Sequence, residues 1–172
     1  MIFKDKTVVI TGGSEGIGAA TARLFAEAGA NLVLAARTKK KLESVADELR
    51  DKTRVAIVPM DVTDDDACVD LFKKAAYEFD GVHILVNNAG EHTRGDVVDV
   101  EAGDLARMID VNLRAPIVLS RIALRYLEEQ DEAAIINVGS LAGRTPVPGS
   151  TTKRFKRRLC GCCQPPTPAA GA

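Results

Sequence analysis

Short apolar runs alternate with longer amphipathic segments along the first 140 positions of this 172-residue chain. The runs are rich in Val, Ile and Leu and lack polar–apolar alternation, which is typical of parallel strands covered by helices on both faces. They predict five strands, at residues 6–11, 31–37, 54–60, 82–88 and 133–140. Because predicted strands and helices alternate, we expect an α/β fold with a doubly wound parallel sheet.

Apolar residues recur at helical spacing in the segments between the strands. In the helix predicted for residues 16–28, one face holds Ile17, Ala20, Leu24 and Ala28. In the helix predicted for residues 39–50, the inward positions are Leu42, Val45, Ala46 and Leu49. The apolar stripe of an amphipathic helix is the part expected to pack on the sheet.

Two further helices are predicted from capping signals and spacing. Thr63 is the predicted N-cap of a helix that runs to about Phe79, since the acids at 64–66 suit the positive end of the helix dipole. A long helix is predicted from about Glu101 to Glu129, and Pro116 inside it predicts a kink.

Length and composition favour one folded domain that does not enter a membrane. The hydrophobic content is 46 %, which is ordinary for a globular protein. No apolar run approaches the ~20 residues that span a bilayer. The N-terminus lacks the long apolar stretch of a secretory signal, so we expect a cytoplasmic protein.

Charge and cysteine are distributed unevenly. Residues 153–172 contain five basic residues and no acid, which leaves 18 basic against 24 acidic residues, a net charge of −6, in residues 1–152. Five charges in a short tail give little reason to expect nucleic-acid binding. Three of the four cysteines crowd the tail as C-x-C-C without a histidine partner set, so neither a zinc site nor a disulfide framework is expected.

The stretch TGGSEGIG, residues 11–18, lies between the first predicted strand and the first helix. Gly12 permits a sharp turn, Gly16 lets a phosphate approach the backbone, and Gly18 lets the helix pack closely on the sheet. The free N–H groups of the helix end and the helix dipole favour an anion there. A purely structural glycine turn is the alternative.

A second set of polar residues ends the third and fourth strands. NNAG, residues 87–90, ends the fourth strand, and Asp61 follows the third. Ligands of doubly wound sheets bind beyond the carboxyl ends of the strands, so both lie where a ligand is expected. A turn-forming role for NNAG and a helix-entry cap for Asp61 are equally compatible with the residues alone.

Five motifs together resemble the short-chain dehydrogenase/reductase family: TGGSEGIG, Asp61 with Val62, NNAG, Asn112 within MIDVNL, and Ser140 within INVGS. The resemblance covers about residues 5–152, with the motifs in the family's order and spacing. It implies a Rossmann-like domain over residues 1–152 that binds NAD or NADP. The cofactor-binding residues that it implies are Gly12, Ser14, Gly16, Ile17, Gly18, Arg37, Asp61, Val62, Asn88, Ala89 and Gly90.

Cofactor choice in this family turns on the end of the second strand. An acid there holds the ribose hydroxyls of NAD, whereas a base accepts the extra phosphate of NADP. Here Ala36 is followed by Arg37, which favours NADP over NAD. Glu15 counts against NADP, because many NADP-using members carry a basic residue at that position.

The resemblance also implies hydride transfer between the nicotinamide and a small alcohol or ketone. Ser140 matches the family serine that orients the substrate oxygen, and Asn112 matches the asparagine that supports a proton-relay water. The family tyrosine would fall at 153 and its lysine at 157, but this chain has Lys153 and Arg157. No metal is implied.

The family pattern ends where the composition changes. We therefore expect residues 153–172 to be an unrelated, disordered tail and the sheet to be incomplete at its C-terminal side. A shifted reading frame, a splice product and an evolved segment are the possible origins of the tail.

Three functions follow from this break in the pattern. The chain is an oxidoreductase whose missing tyrosine and lysine make it inactive, a non-catalytic NADP-binding module, or a truncated product without function. Full-length members are expected to form oligomers through segments that this chain lacks. The residues do not indicate which substrate is used.

Overall fold

The computed structural model describes residues 2–93 and 99–140. Its five strands form one parallel sheet in the order β3-β2-β1-β4-β5. The strands are β1 (Thr7–Thr11), β2 (Asn31–Ala36), β3 (Val55–Pro59), β4 (Ile84–Asn87) and β5 (Ala134–Asn137). All five lie within the predicted runs, and the strand order confirms the doubly wound α/β fold.

Helices connect the strands within the described ranges. They are α1 (Gly16–Glu27), α2 (Lys39–Leu49), α3 (Asp65–Phe79), α4 (Ala102–Ile109) and α5 (Ala115–Leu127), with a π-helical segment at Asp110–Arg114. None of the described helices is long and apolar enough to cross a membrane.

The chain divides into two compact units. The first unit, Met1–Glu91 with Ile109–Val138, contains the whole sheet, and the second comprises His92–Met108 and Gly139–Ala172. Ser140 and most of α4 belong to the second unit. The predicted tail, its boundary after residue 152 and the positions of Lys153 and Arg157 lie outside the described residues.

Helices cover the sheet of the first unit on both faces. On one face, α1 and α2 pack on alternate strand residues such as Val8, Ile10 and Leu32. On the other face, α3 and α5 pack on the intervening residues, such as Val9 and Leu85. β1, β2 and β4 are buried almost throughout. Their apolar runs are unbroken because helices cover both faces of the sheet, as the sequence pattern predicted.

The apolar stripe predicted for α1 is on the wrong face. Ile17 is 65 % exposed and Leu24 is 68 % exposed. The buried face consists of smaller residues: Gly18, Ala19, Ala22 and Ala26. Small residues allow α1 to approach the sheet closely, and this need outweighs the burial of the larger side chains. The four inward positions predicted for α2 are all buried.

The N-cap predicted for α3 is displaced by one residue. Asp64, not Thr63, is the N-cap, and its Oδ1 accepts hydrogen bonds from the backbone N–H groups of Asp66 and Ala67 at 3.0 and 3.1 Å. Thr63 instead donates from both its N–H and its hydroxyl to Asp61 Oδ1. Asp and Thr are both favoured as N-caps. Because the Thr63 hydroxyl is bonded to Asp61, Asp64 takes the capping position.

The long helix predicted from about Glu101 to Glu129 is interrupted. Its hydrogen-bond pattern changes at the π-helical segment, which ends two residues before Pro116 in the first turn of α5. Proline has no N–H to continue the α-helical pattern, so the irregularity falls on its N-terminal side. This irregular segment carries Asn112.

Candidate active site

The carboxyl ends of four strands of the first unit bring the predicted cofactor-binding residues to one edge of the sheet. Gly12 follows β1, Arg37 follows β2, Asp61 lies two residues after β3, and Asn88 follows β4. Because β1 and β4 are neighbours while the chain winds away from them in opposite directions, a crevice opens at this point. The fold thus assembles residues that are far apart in sequence.

Gly12, Gly18 and Asn88 meet at the glycine turn. A Cβ atom on Gly18 would lie 2.1 Å from the carbonyl oxygen of Gly12 and 2.6 Å from Asn88 Nδ2. A Cβ atom on Gly12, whose φ is +66°, would lie 2.8 Å from the same Nδ2. The turn therefore requires glycine at both positions, and the side-chain amide of Asn88 fills the space that they leave.

Gly16 meets a different requirement. Its φ is +55°, yet a Cβ atom there would meet no described atom within 4 Å. The residue thus opens the turn outward at the start of α1, next to the half-buried Ser14 and the exposed Ile17. No side chain caps this helix end, since the N-cap residue Glu15 makes no capping hydrogen bond. Open backbone N–H groups at a helix N-terminus favour an anion.

Thr11 joins the glycine turn to NNAG, a role that sequence reasoning missed. Its Oγ1 accepts hydrogen bonds from the N–H groups of Asn88 and Ala89, each at 3.1 Å, and donates to the carbonyl of Val86 at 3.3 Å. Asn88 Nδ2 returns a hydrogen bond to the carbonyl oxygen of Thr11 at 2.9 Å. Thr11 is the first residue of TGGSEGIG, but only the strand order shows that it lies next to β4.

Asn112 clamps the backbone just after NNAG. Its Nδ2 donates to the carbonyl oxygen of Glu91 at 2.7 Å, and its Oδ1 accepts from the N–H of Glu91 at 3.0 Å. A Cβ atom on Gly90 would lie 3.3 Å from the same Oδ1, so a small residue suits that position. The π-helical segment thus ties itself to the loop that ends β4.

Two ion pairs surround the turn. Arg37 Nη1 lies 3.7 Å from Glu91 Oε2, and Lys41 Nζ lies 2.7 Å from Glu15 Oε2. The acid that counted against NADP in the sequence is therefore compensated by Lys41, in the first turn of α2. Arg37 remains 65 % exposed on its side chain, so a ligand can reach it.

Three of the predicted cofactor-binding residues offer a ligand less of their side chains: Asp61, Val62 and Ala89. Asp61 uses Oδ1 to hold Thr63 just before α3, but the N-cap of that helix is Asp64, so the helix-entry cap considered for Asp61 is wrong. The Val62 side chain is buried against the α3 side of the sheet, and Ala89 packs partly against the same cluster. Contact of Val62 with a ligand at the edge is therefore limited to its backbone.

The two predicted catalytic residues fall in different units. Asn112 belongs to the first unit, whereas Ser140 belongs to the second and is exposed three residues after the end of β5.

The remaining candidate nucleophile and metal ligands of the described residues are not arranged for chemistry. Cys68 is a core residue of the first unit, and its burial raises the pKa of its thiol to about 11. Among the described residues no group of His, Cys, Asp and Glu side chains is arranged to hold a metal ion.

The short chain dehydrogenase family profile matches residues 6–152, and the chain belongs to this family of oxidoreductases. It is 37 % identical over 150 residues to an uncharacterized oxidoreductase of Staphylococcus aureus strain USA300. It is 41 % identical over 162 residues to the uncharacterized oxidoreductase YxnA of Bacillus subtilis. The matches cover 87 % and 92 % of this chain. The chain spans only 64 % and 46 % of the length of these two relatives.

Solved structures share the fold. A short chain dehydrogenase from Burkholderia cenocepacia in complex with NADP has a TM-score of 0.87 at 29 % identity, covering 94 % of this chain and 67 % of that one. NAD+-bound xylitol dehydrogenase has a TM-score of 0.85 at 26 % identity, covering 92 % and 62 %. The fold is thus one that binds a nicotinamide dinucleotide, and the neighbours include both forms of the cofactor.

Proposed function

We propose that this chain is the dinucleotide-binding part of an NADP-dependent oxidoreductase, and that it binds NADP without turning over a substrate. The observation that carries the proposal is the glycine turn, in which Gly12 and Gly18 pack on Asn88 while Gly16 leaves open space at the uncapped start of α1. A turn that served only to connect β1 to α1 would not need that open, anion-favouring face.

The residues of the turn fit the pyrophosphate of a dinucleotide. The N–H groups at Gly16, Ile17 and Gly18 are the donors, and Ser14 adds a hydroxyl beside them. Asp61 and the backbone of Val62 would hold the adenine, while Asn88, Ala89 and Gly90 would line the path toward the nicotinamide. In catalytically active members of the family, NADP would supply or accept the hydride when a carbonyl and an alcohol are interconverted.

Arg37 supports NADP over NAD. It follows β2, where a base accepts the 2′-phosphate, and its side chain is largely exposed. Lys41 strengthens the case because it neutralises Glu15, which would otherwise repel a phosphate at the turn. The structurally similar short chain dehydrogenase from Burkholderia cenocepacia was solved with NADP bound, which supports NADP as the cofactor proposed here.

The lack of turnover is inferred from the missing acid–base pair. Family chemistry needs a tyrosine to move the proton and a lysine to lower its pKa. Lys153 and Arg157 stand at the matching positions. Ser140 could still orient a substrate oxygen, and Asn112, whose amide holds the Glu91 backbone, acts as a positioning residue for the loop after β4.

Neither tyrosine of the chain can replace the missing one. Tyr77 is 90 % exposed near the end of α3, and Tyr126, near the end of α5, stacks on Phe72 with the ring centroids 5.8 Å apart. Both helices end where the chain turns back into the amino ends of β4 and β5. Both phenols therefore lie toward the edge of the sheet opposite the glycine turn.

Thermal unfolding of the 172-residue chain with NADPH, with NADH and without cofactor tests the proposal. At a free concentration about 100 times Kd, a ligand of the folded state adds about 2.7 kcal/mol. For a domain of this size that raises Tm by about 5–10 °C. We expect the rise with NADPH, a smaller one with NADH, and no NADPH oxidation with a panel of small ketones.

The Arg37→Gln variant is the matched control for cofactor choice. We expect it to lose the preference for NADPH and to keep its response to NADH. Indifference of the wild-type chain to both cofactors would overturn the proposal and favour a product without function. Steady oxidation of NADPH in the presence of a ketone would overturn the lack of turnover alone.

A further inference from the structure

The ion pair between Arg37 and Glu91 crosses the end of β1. Arg37 directly follows β2 and Glu91 follows β4, and β1 lies between these two strands. Adjacent strands are about 4.8 Å apart, so β2 and β4 are separated by about 10 Å. The two side chains close that gap to 3.7 Å between Nη1 and Oε2.

The backbone of Glu91 is held separately from its carboxylate. Asn112 binds both the N–H and the carbonyl oxygen of Glu91. Rotation of the side chain can release Arg37 without disturbing this clamp. At 3.7 Å the contact with Arg37 is too long for a hydrogen bond, so it is a charge interaction that a better acceptor can displace.

A phosphate monoester is such an acceptor. It carries close to two negative charges at neutral pH and offers three oxygens to the fork of a guanidinium. The ribose hydroxyls at the same position of NAD carry no charge and cannot compete for Arg37 in this way. Displacement of Glu91 is therefore a step that NADP requires and NAD does not.

We propose that Glu91 is a specificity-determining residue, whose carboxylate occupies Arg37 in the cofactor-free protein and must release it to the 2′-phosphate of NADP. The inference rests on the proposed binding of NADP. It follows that the wild-type chain binds NADP less tightly than a chain in which Arg37 is not paired with Glu91.

Titration of the 172-residue chain with NADPH and NADH tests the inference on the wild type and on three variants. These are Glu91→Gln, Arg37→Gln and the double variant. Glu91→Gln preserves the clamp, since Asn112 contacts only backbone atoms of residue 91 in these hydrogen bonds. Glu43→Gln is the matched control because it removes an equal charge that pairs with Lys39 on α2.

We expect Glu91→Gln to tighten NADPH binding about two- to five-fold, the range of an exposed ion pair. NADH affinity should change no more than it does in Glu43→Gln. In the Arg37→Gln background, Glu91→Gln should give NADPH no such advantage. Raised ionic strength should shrink the effect in the wild-type background, since the pair is partly exposed.

Three outcomes overturn the inference, and each differs from failure of the proposed function. If wild type binds NADPH but Glu91→Gln leaves its affinity unchanged, or tightens both cofactors equally, Glu91 does not determine specificity. The same holds if the gain persists without Arg37. If wild type binds neither cofactor, the proposed function fails and the inference falls with it.

Discussion

Asn88 and Thr11 hold each other through two hydrogen bonds. The N–H of Asn88 donates to Thr11 Oγ1 at 3.1 Å, and Asn88 Nδ2 donates to the carbonyl oxygen of Thr11 at 2.9 Å. The same hydroxyl also accepts from the N–H of Ala89. Thr11 is 1 % exposed, so water has little access to its hydroxyl to replace these bonds. The carboxyl ends of β1 and β4 are thus locked together at the site.

Replacement of Thr11 by valine should destabilise the protein by about 1–3 kcal/mol, because two backbone donors lose their acceptor with little change in shape. Thr11→Ser keeps the hydroxyl and should lose less. Denaturant unfolding of both variants gives the comparison. A valine variant as stable as the serine variant would mean that the hydroxyl does not hold the two strand ends together.

Gly18→Ala should distort the glycine turn, since the added Cβ atom would stand 2.1 Å from the Gly12 carbonyl oxygen. We expect a loss of about 1–3 kcal/mol in the free energy of unfolding, together with loss of the Tm response to NADPH. Gly103→Ala is the control, because a Cβ atom in α4 meets open space there. In that helix alanine should be neutral or stabilising by up to about 1 kcal/mol. Equal effects of the two variants would contradict the close packing at Gly18.

Asn112→Ala should release the loop after NNAG, since both backbone groups of Glu91 would lose their side-chain partner. The direct readout is hydrogen exchange of the Glu91 amide, which should accelerate by at least ten-fold, equivalent to about 1.4 kcal/mol. Amides in the middle of β1 should keep their protection and serve as the internal reference. Unchanged exchange at Glu91 would show that the clamp does not hold in solution.

Lys41→Gln should weaken NADPH binding about two- to five-fold, because it leaves the carboxylate of Glu15 uncompensated beside the turn. Lys40→Gln removes the same charge from the adjacent position and is the matched control. Titration with NADPH compares the two variants. If they weaken binding equally, net charge rather than the pair with Glu15 is responsible.

Protonation of His83 should destabilise the start of β1. His83 Nδ1 accepts a hydrogen bond from the N–H of Thr7 at 3.1 Å. Burial, and then the charge of Lys6, lowers the pKa of His83 below its ordinary 6.5. Lys6 itself pairs with Glu132 at 3.6 Å. The neutral ring is thus the form that the fold binds, since a protonated Nδ1 cannot accept.

The sign of the pH effect follows from that lowered pKa. The contribution of His83 to stability is complete above its unfolded pKa of about 6.5 and is lost as the pH falls through the lower folded value. His83→Asn offers an uncharged acceptor, so its unfolding free energy should fall less steeply than that of wild type over this range. Subtracting the unfolding free energy of His83→Asn from that of wild type at each pH cancels the titration of the carboxylates, which both proteins share. Parallel pH curves would contradict the role of His83.

Local pattern was sufficient for the five strands and for α2, because burial on both faces of a strand, or on one stripe of a helix, leaves a direct trace in the sequence. It failed for α1, where Ile17 and Leu24 suggest the packed face but small residues occupy it. Close approach of a helix to the sheet depends on the backbone of a neighbouring strand end, and a hydrophobicity pattern does not record that distance. The π-helical segment before Pro116 was missed for a similar reason, since Pro116 predicts a break but not its form.

The sequence by itself determined the strand–helix alternation, the glycine turn and the family, because each depends on residues close together in the chain or on motifs in a fixed order. Only the tertiary structure decided that Thr11 holds Asn88, that Asn112 holds Glu91, and that Arg37 reaches Glu91 across β1. Each of these contacts joins residues brought together by the strand order 3-2-1-4-5. Hydrogen bonds and ion pairs act over a few ångströms of space, whatever their separation in sequence.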